Sequence, residues 1–318
     1  MKTTFLILSF FVALAISSCQ KDEDNDQPNS PEKFNSVQEF FDTRNPKTDI
    51  FLVTAETGGT FTTDDGSTLT IPANAFVDLS GQAITGSVTV RLKEVFSNSD
   101  MIFSGIFPVS QNLMLNSGGE FFLSAKQGSN LLRLDDGVNL DLAIPAQAID
   151  PNMELFWAEN EEDIKAANWR RPDSAQGGGV GGGGSFTFNT VDSTYDITLD
   201  SMRWGNIDAF MFVNYFNCSF NLTGLAGLDA TNTTAFAVFK DQNTVWPMGT
   251  QSWGNISGNL ITDSHLADVP MNVVVISVVD GQLYYGLADI TPAVGITYPI
   301  AMTATTSANL DAVINGLP

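Results

Sequence analysis

The chain has 318 residues, of which 36 are Asp or Glu, 14 are Lys or Arg and one is His, giving a net charge of −22. Such an acidic surface repels phosphate groups, which excludes nucleic-acid binding and electrostatic attachment to anionic lipids. With Cys19 and Cys218 as its two cysteines and a single histidine, the chain also lacks the ligands of an ordinary zinc site.

The N-terminus has the three parts of a secretory signal peptide. Lys2 gives a positive start, residues 5–16 form an apolar run, and serines at 17 and 18 precede Cys19. The run is too short to remain as a membrane-spanning helix, which needs about 20 residues. The pattern ISSC at 16–19 resembles the lipobox of bacterial lipoproteins. This resemblance implies removal of residues 1–18 and lipidation of Cys19, with diacylglycerol and palmitate.

The residues after Cys19 predict where the anchor lies. The run QKDED at 20–24 resembles the export signal of Bacteroidota-type surface lipoproteins. It implies anchoring in the outer membrane with exposure at the cell surface; the alternative is the periplasmic leaflet. Residues 19–33 are polar and acidic and contain Pro28 and Pro31. Because this composition cannot bury enough apolar surface to fold, we predict an acidic flexible tether there.

Residues 34–172 are predicted to form a first β-sandwich domain. Ser36 and Glu39 have capping-box spacing, which predicts a short helix that ends before Pro46. From residue 50 to residue 145 apolar and polar residues alternate, as in Ser87–Val95, and Asp-Gly turns at 65–66 and 136–137 separate such runs. Strands are also predicted at 140–144 and 153–157, and a short helix near 161–167. Many short strands with regular turns indicate an immunoglobulin-like or related sandwich.

Residues 57–95 resemble a β-sandwich module of Bacteroidota-type surface lipoproteins, which is distantly similar to the sandwich domain of netrin receptors, ankyrins and zonula occludens proteins. The residues that carry the resemblance are Gly58, Gly59, Gly66, Leu69, Ile71, Pro72 and Ala75. The similarity continues through residues 117–119 to residues 144–145. It implies a fold and carries no catalytic residue, since the self-cleavage tripeptides of some relatives do not occur in this chain.

A second β-sandwich domain is predicted over residues 186–318. Seven of the eight residues at 177–184 are glycine, which predicts a flexible linker over residues 173–185; an internal loop of one domain is the alternative. Strand patterns resume at 194–199, 209–216, 235–240 and 273–279, and Asp280-Gly281 predicts a tight hairpin into residues 282–286. Apolar residues at 310, 313, 314 and 317 predict an amphipathic C-terminal helix that caps this sandwich. The fold class is thus all-β, with two sandwiches and a helix near each end.

Candidate catalytic and metal-binding residues are few. Asp263, Ser264 and Asp268 surround His265, but triad members normally come from distant loops, so we predict no catalytic residue. Cys218 lies among apolar residues and is predicted to be a buried, inert thiol. The acidic loops contain Asp64, Asp65, Asp135 and Asp136. These are better explained as turn formers than as Ca²⁺ ligands, so no metal or cofactor is predicted, with Ca²⁺ left open.

Tryptophans are the candidate ligand-binding residues. Trp246 and Trp253 flank a turn, and Trp204 lies beside Asn206 and Asp208. A flat apolar face next to an amide or a carboxylate suits sugars, whereas core packing is the alternative for each tryptophan.

The leading hypothesis is a lipid-anchored cell-envelope protein with a non-enzymatic role in adhesion, scaffolding or ligand display. Its partners would be the membrane, through Cys19, and a glycan or another envelope protein. The alternative is a glycan-binding accessory lipoprotein, and a hydrolase is favoured least.

Overall fold

The computed structural model describes residues 32–158, 169–170, 185–249 and 254–318. Within these ranges the chain forms 23 strands in five sheets and three helices, which confirms the predicted all-β class. Residues 32–318 form one compact unit. Strands and helices are numbered below in chain order.

Two sheets build the first sandwich. In spatial order, sheet I contains β1 (Thr48–Thr54), β5 (Ser87–Val95), β7 (Leu113–Gln127), β14 (Trp204–Phe210) and β11 (Glu154–Ala158), with β6 (Val109–Ser110) and β8 (Asn130–Leu131) paired to β7. Sheet II contains β12 (Ser185–Asn189), β13 (Thr194–Leu199), β10 (Leu140–Pro145), β3 (Thr68–Ile71) and β2 (Gly59–Thr62). A separate ladder joins β4 (Phe76–Val77) to β9 (Arg133–Leu134).

Two further sheets build the second sandwich. Sheet III contains β18 (Gly254–Ser257), β19 (Leu260–Ala267), β15 (Tyr215–Thr223) and β22 (Thr297–Ala301), and β15 and β22 run parallel. Sheet IV contains β17 (Val245–Met248), β16 (Thr233–Phe239), β20 (Met271–Val279), β21 (Gln282–Ile290) and β23 (Thr303–Ala304). Apolar side chains from sheets III and IV share one core, just as those of sheets I and II share another.

Alternation of apolar and polar residues explains the strands. In β5, Val88, Val90 and Leu92 are buried while the residues between them are not, because one face of sheet I lines the core. The predicted hairpin at Asp280-Gly281 is confirmed, with φ of 52° and 81°, the positive values that a two-residue primed turn requires. Asp64-Asp65-Gly66 joins β2 to β3 as predicted. The turn at residues 135–137, in contrast, connects strands of different sheets.

Three helices lie between the two sandwiches. They are α1 (Val37–Asp42), α2 (Asn98–Ser104) and α3 (Ser307–Asn315). Their buried side chains join those of the outer faces of sheets I and IV in a third core, which we call the junction cluster. It includes Phe34, Phe40, Phe41, Met101, Phe103, Phe156, Trp204, Phe236, Ile276, Leu310 and Ile314. The C-terminal helix therefore packs into a core shared by both sandwiches and does not cap the second one alone.

The helix ends follow local capping rules only in part. Ser36 Oγ accepts a hydrogen bond from the Glu39 main-chain N–H at 3.1 Å, as the capping-box spacing predicts. The Glu39 carboxylate accepts from the Asn35 N–H at 2.6 Å instead of reaching Ser36. A full capping box occurs at α2, which was not predicted, where Ser97 and Asp100 bind each other's main-chain N–H groups.

The predicted division of the chain needs two corrections. The strands that follow the Gly-rich segment, β12, β13 and β14, pair with strands of the first sandwich. The second sandwich therefore begins with β15 at Tyr215, and not at residue 186. The strand predicted at 209–216 is in fact the end of β14, a crossing at residues 211–214 and the start of β15. The Gly-rich segment and the helix predicted near 161–167 lie outside the described residues.

Candidate functional site

The predicted sugar-binding residues are buried. Trp204 is 5% exposed, and Trp246, Asn206 and Asp208 are fully buried. Trp204 lies in the junction cluster and Trp246 in the core of the second sandwich, so neither ring can stack on a ligand. Trp253 lies outside the described residues. The prediction of a tryptophan-based sugar site is therefore wrong for Trp204 and Trp246, because the second sandwich and the helices cover the face of sheet I that carries Trp204.

The acidic group around His265 is a structural network. The Asp263 carboxylate is buried and accepts hydrogen bonds from Trp246 Nε1 and from the main-chain N–H groups of Gly249 and His265, at 2.8 to 3.3 Å. Burial raises the pKa of Asp263, and these hydrogen bonds oppose the rise. Ser264 Oγ lies 2.9 Å from His265 Nδ1, and the His265 ring stacks on Trp246.

Asp268 holds a different part of the fold. Its carboxylate accepts hydrogen bonds from the main-chain and side-chain N–H groups of Asn214, at 3.2 and 2.8 Å. Asp263 and Asp268 thus fasten main-chain segments of the second sandwich. The two acids nearest His265 in sequence therefore have structural partners.

A cleft of about 710 Å³ opens where the two sandwiches meet. Its walls come from the segment before β11, from the end of β14 with the crossing that follows it, and from single residues of three other segments. The lining residues are Asn116, Asp150, Pro151, Asn152, Met153, Glu154, Ala209, Phe210, Met211, Phe212, Val213, Gln242 and Val269. The cleft therefore lies against the true junction of the sandwiches, at residues 211–214.

The crossing that forms one wall is fixed at both ends. The Met211 N–H donates to the Met114 carbonyl at 3.0 Å, and Asp268 holds Asn214. Between these points Phe212 is 98% exposed. Phe212 lies beside Phe210 and Val213 in the wall of the cleft, and aromatic residues are enriched at protein contact sites.

The chemistry of the cleft is mixed. Phe210, Phe212 and Met153 provide apolar surface, whereas amide side chains and two carboxylates, Asp150 and Glu154, provide polar groups. Ligand sites typically combine an apolar lining with a few polar groups that orient the ligand. Among the described lining residues both charges are negative, so the cleft favours neutral or cationic groups.

A row of buried polar side chains continues inward from the cleft along sheet I. Glu154 lies opposite Asp208 in the β11–β14 ladder, and Asn206 lies opposite Glu120 in the β14–β7 ladder. Glu120, Asn206 and Asp208 are fully buried. Burial raises the pKa of the Glu120 and Asp208 carboxyls well above their usual range; at Glu120 the negative charge of Asp208 adds to the rise. The nearby Ser117 hydroxyl opposes the rise at both.

A third buried acid lies at one end of the first sandwich. Glu94, on β5, is 3% exposed, and burial raises its pKa to about 7. The hydroxyls of Ser67 and Thr63 favour its charged form, while the negative charges of Asp65 and Asp49 oppose it. The sequence predicts Asp65 to be a turn former and leaves Ca²⁺ binding open. In the part of the chain that the structure describes, no group of three or more His, Cys, Asp and Glu residues is arranged to hold a metal.

Of the two cysteines, Cys218 lies within the described residues and Cys19 does not. Cys218 is a buried free thiol, as predicted, and burial raises its pKa, so it is a poor nucleophile. Cys19, the predicted lipidation site, lies outside the described residues. None of the helices in the described ranges combines the length and apolar character needed to cross a membrane.

Sequence reasoning missed the cleft and Glu120. The strand predicted at 209–216 includes Phe212 and would bury every second residue. Glu120 is not recognisable from the sequence as a neighbour of Asp208, because β7 and β14 are far apart in the chain. One signal was available: an acidic residue at a buried position of an apolar strand, as in GEFFL, is uncommon unless it is paired or binds a ligand. No protein-family model and no curated protein matches this chain.

Proposed function

We propose that this protein is a lipid-anchored cell-envelope protein that binds a partner in the cleft between its sandwiches, in adhesion, scaffolding or ligand display, and catalyses no reaction. The observation that carries the proposal is the exposed Phe212 ring on the fixed wall of a 710 Å³ cleft. Apolar and aromatic groups give affinity when a ligand covers them, and the amide groups orient it. Anchoring rests on the sequence pattern at Cys19.

The binding part of the proposal is tested by Phe212→Ala. Cells that display the wild-type chain are compared with cells that display the variant for retention on immobilised envelope proteins and on immobilised oligosaccharides. The expected result is that wild-type cells are retained on one of these surfaces and that the variant loses at least tenfold in retention. Leu79→Ala is the matched control, because Leu79 is 71% exposed and does not line the cleft. Equal retention of wild type and Phe212→Ala would remove the cleft from the proposal.

The anchoring part is tested by Cys19→Ala. The wild-type chain is expected in the outer-membrane fraction, and the variant is expected to leave it, because a chain without the lipid has no attachment through its acidic surface. Protease treatment of intact cells separates surface exposure, which predicts digestion, from the periplasmic leaflet, which predicts protection. A variant that stays with the membrane would contradict lipid anchoring.

Glycan binding is a second candidate, and it now rests on Phe212 instead of the tryptophans. Asn116, Asn152 and Gln242 share the cleft with this ring, and an aromatic face beside amide groups suits sugar hydroxyls and ring faces. Retention on oligosaccharides and not on envelope proteins, lost in Phe212→Ala, would favour this candidate over protein adhesion.

A further inference from the structure

Three fully buried polar side chains lie together on the outer face of sheet I. Glu120 on β7 and Asn206 on β14 are direct partners in the ladder, and Asp208 lies two residues beyond Asn206 on the same strand. Partners across a ladder have Cβ atoms about 5 Å apart, and residues i and i+2 of a strand lie on the same face. The Asn206 amide donates to Asp208 Oδ2, so these two side chains are in direct contact.

Four oxygen atoms of this trio have no hydrogen-bond partner. They are both carboxylate oxygens of Glu120, Oδ1 of Asp208 and Oδ1 of Asn206. Buried polar atoms in native proteins are nearly always paired, and a buried carboxyl either keeps its proton or is paired with a cation or a metal ion. The four unpaired oxygens belong to adjacent side chains, so the missing hydrogen bonds are concentrated at one place in the fold.

The surrounding side chains do not supply the missing hydrogen-bond donors or a positive charge. The Ser117 hydroxyl lies near both carboxyls and favours their charged forms, but it can donate only one hydrogen bond and cannot pair all four oxygens. Glu154, the cross-strand neighbour of Asp208, is acidic as well. Within the described ranges no Lys or Arg forms an ion pair with Glu120 or Asp208. The trio thus offers two carboxyls and an amide oxygen that lack partners, and its one internal donor is the Asn206 amide group.

We infer that Glu120, Asn206 and Asp208 form a Ca²⁺ site that closes the junction between the two sandwiches. Ca²⁺ takes about six to eight oxygen ligands in flexible geometry, accepts bidentate carboxylates and amide oxygens, and leaves remaining positions to water. Two carboxylates balance its charge. The third ligand side chain is the amide of Asn206, so the site has only two acidic residues. Mg²⁺ fits less well because it demands a near-ideal octahedron and keeps several waters.

The location gives the ion a structural role. Trp204 and Phe156 lie on the same face of the same strand group and belong to the junction cluster. Nearby, Asn243 of the second sandwich donates to the main-chain carbonyls of Phe96 and Ser117, at 2.9 and 3.1 Å. A divalent ion here would fix β7 and β14 where the second sandwich rests on them. This inference is independent of whether a ligand occupies the cleft.

The test uses terbium, which replaces Ca²⁺ and emits when a nearby tryptophan is excited. Trp204 lies two residues from Asn206 on the same strand, at about 7 Å along it. The full chain, stripped with chelator, is expected to show terbium emission that stoichiometric Ca²⁺ displaces. Glu120→Gln and Asp208→Asn are each expected to weaken terbium binding at least tenfold. Asp64→Asn is the matched control, since Asp64 is an exposed turn acid.

Trp204→Phe separates the site from other acidic sites on the chain. This variant is expected to lose most of the emission while it keeps the Ca²⁺ effect on thermal unfolding. That effect, in wild type, is a rise of about 5 °C in Tm when Ca²⁺ is 100-fold above its Kd. It is absent in the Glu120→Gln variant. Wild-type unfolding also tests the inference should a variant fail to fold.

Two results would overturn the inference. One is a wild-type Tm that is the same in chelator and in millimolar Ca²⁺, which would mean that the two carboxyls share a proton instead of a metal ion. The other is terbium emission that is unchanged in both Glu120→Gln and Asp208→Asn, which would assign the ion to a surface site.

Discussion

The two sandwiches each bury an aspartate on a β-strand, and they treat it in opposite ways. Asp263 in the second sandwich receives hydrogen bonds from Trp246, Gly249 and His265. Asp208 in the first sandwich receives one, from Asn206, and keeps an unpaired oxygen beside a second buried acid. Burial raises the pKa of both carboxyls, but only around Asp263 does the fold supply enough donors to hold the charged form.

Burial alone therefore does not identify a functional acid. A buried carboxylate with several donors is a structural part of the fold, and its removal leaves those donors unpaired. A buried carboxylate with unpaired oxygens needs a proton or a cation from outside the chain. Glu94 is a third case, since both its oxygens are unpaired and its pKa is raised to about 7.

The largest effect is expected for Asp263→Ala. This change leaves the Trp246 indole N–H and two main-chain N–H groups without an acceptor, and should lower the free energy of unfolding by about 3 kcal/mol. Urea unfolding followed by tryptophan fluorescence measures the change. Asp289→Ala is the control, because Asp289 is 69% exposed in its ion pair with Lys240, and such pairs contribute less than about 1 kcal/mol. A loss at Asp263 no larger than at Asp289 would erase the contrast between the sandwiches.

The next largest effect is the pH-dependent difference in stability between wild type and Glu94→Gln. The folded chain raises the Glu94 pKa from 4.5 to about 7, so between these values the folded state binds more protons than the unfolded state. The resulting stability is complete below pH 4.5 and is lost as the pH rises through 7. Glu94→Gln should therefore be about 2 kcal/mol more stable than wild type at pH 8 and about equal to it at pH 4.

Unfolding in urea at several pH values checks the Glu94 prediction, with Asp64→Asn as a nearby exposed control. Equal stability of wild type and Glu94→Gln at pH 8 would show that the charged form of Glu94 is well solvated in the folded chain.

The smallest effect is expected for Glu120→Gln, whose change in stability should have the opposite sign to that of the same substitution type at Asp263. In chelator, Glu120→Gln should stabilise the chain by about 1 kcal/mol, because it replaces a carboxyl that is costly to ionise next to Asp208 and adds N–H donors for the unpaired oxygens. The same acid-to-amide change at Asp263 should destabilise the chain, since it turns an oxygen that accepts hydrogen bonds into a donor. Parallel thermal unfolding of both variants in chelator measures the two signs, and equal signs would mean that both acids are held alike.

The sequence predicts strands well where one face of a sheet is buried. β5 and β13 have the predicted bounds, because alternation of apolar and polar residues is a local signal. The crossing at residues 211–214 was missed because its apolar residues have strand-like character, whereas tertiary contacts decide that the chain leaves sheet I there. Glycine content at 177–184 indicates local freedom but does not determine which sheet the next strands join.

The candidate site was predictable only in part. The sequence groups Trp204 with Asn206 and Asp208 as neighbours, and their spacing of two residues places all three on one face of β14. Whether that face meets solvent depends on α2 and on the second sandwich, which pack over it from distant parts of the sequence. Glu120 joins the group through a ladder between strands more than 80 residues apart, a pairing that no local pattern contains.

The position of α1 has a mechanical consequence if the chain is held at Cys19. Tension that enters at residue 32 reaches α1 before any sheet. This segment is held by the hydrogen bond from the Phe34 N–H to the Gly281 carbonyl, by Phe40 and Phe41 in the junction cluster, and by the pairing of Arg44 with Asp311 on α3. A pull on a partner would thus load these contacts before it reached any edge strand.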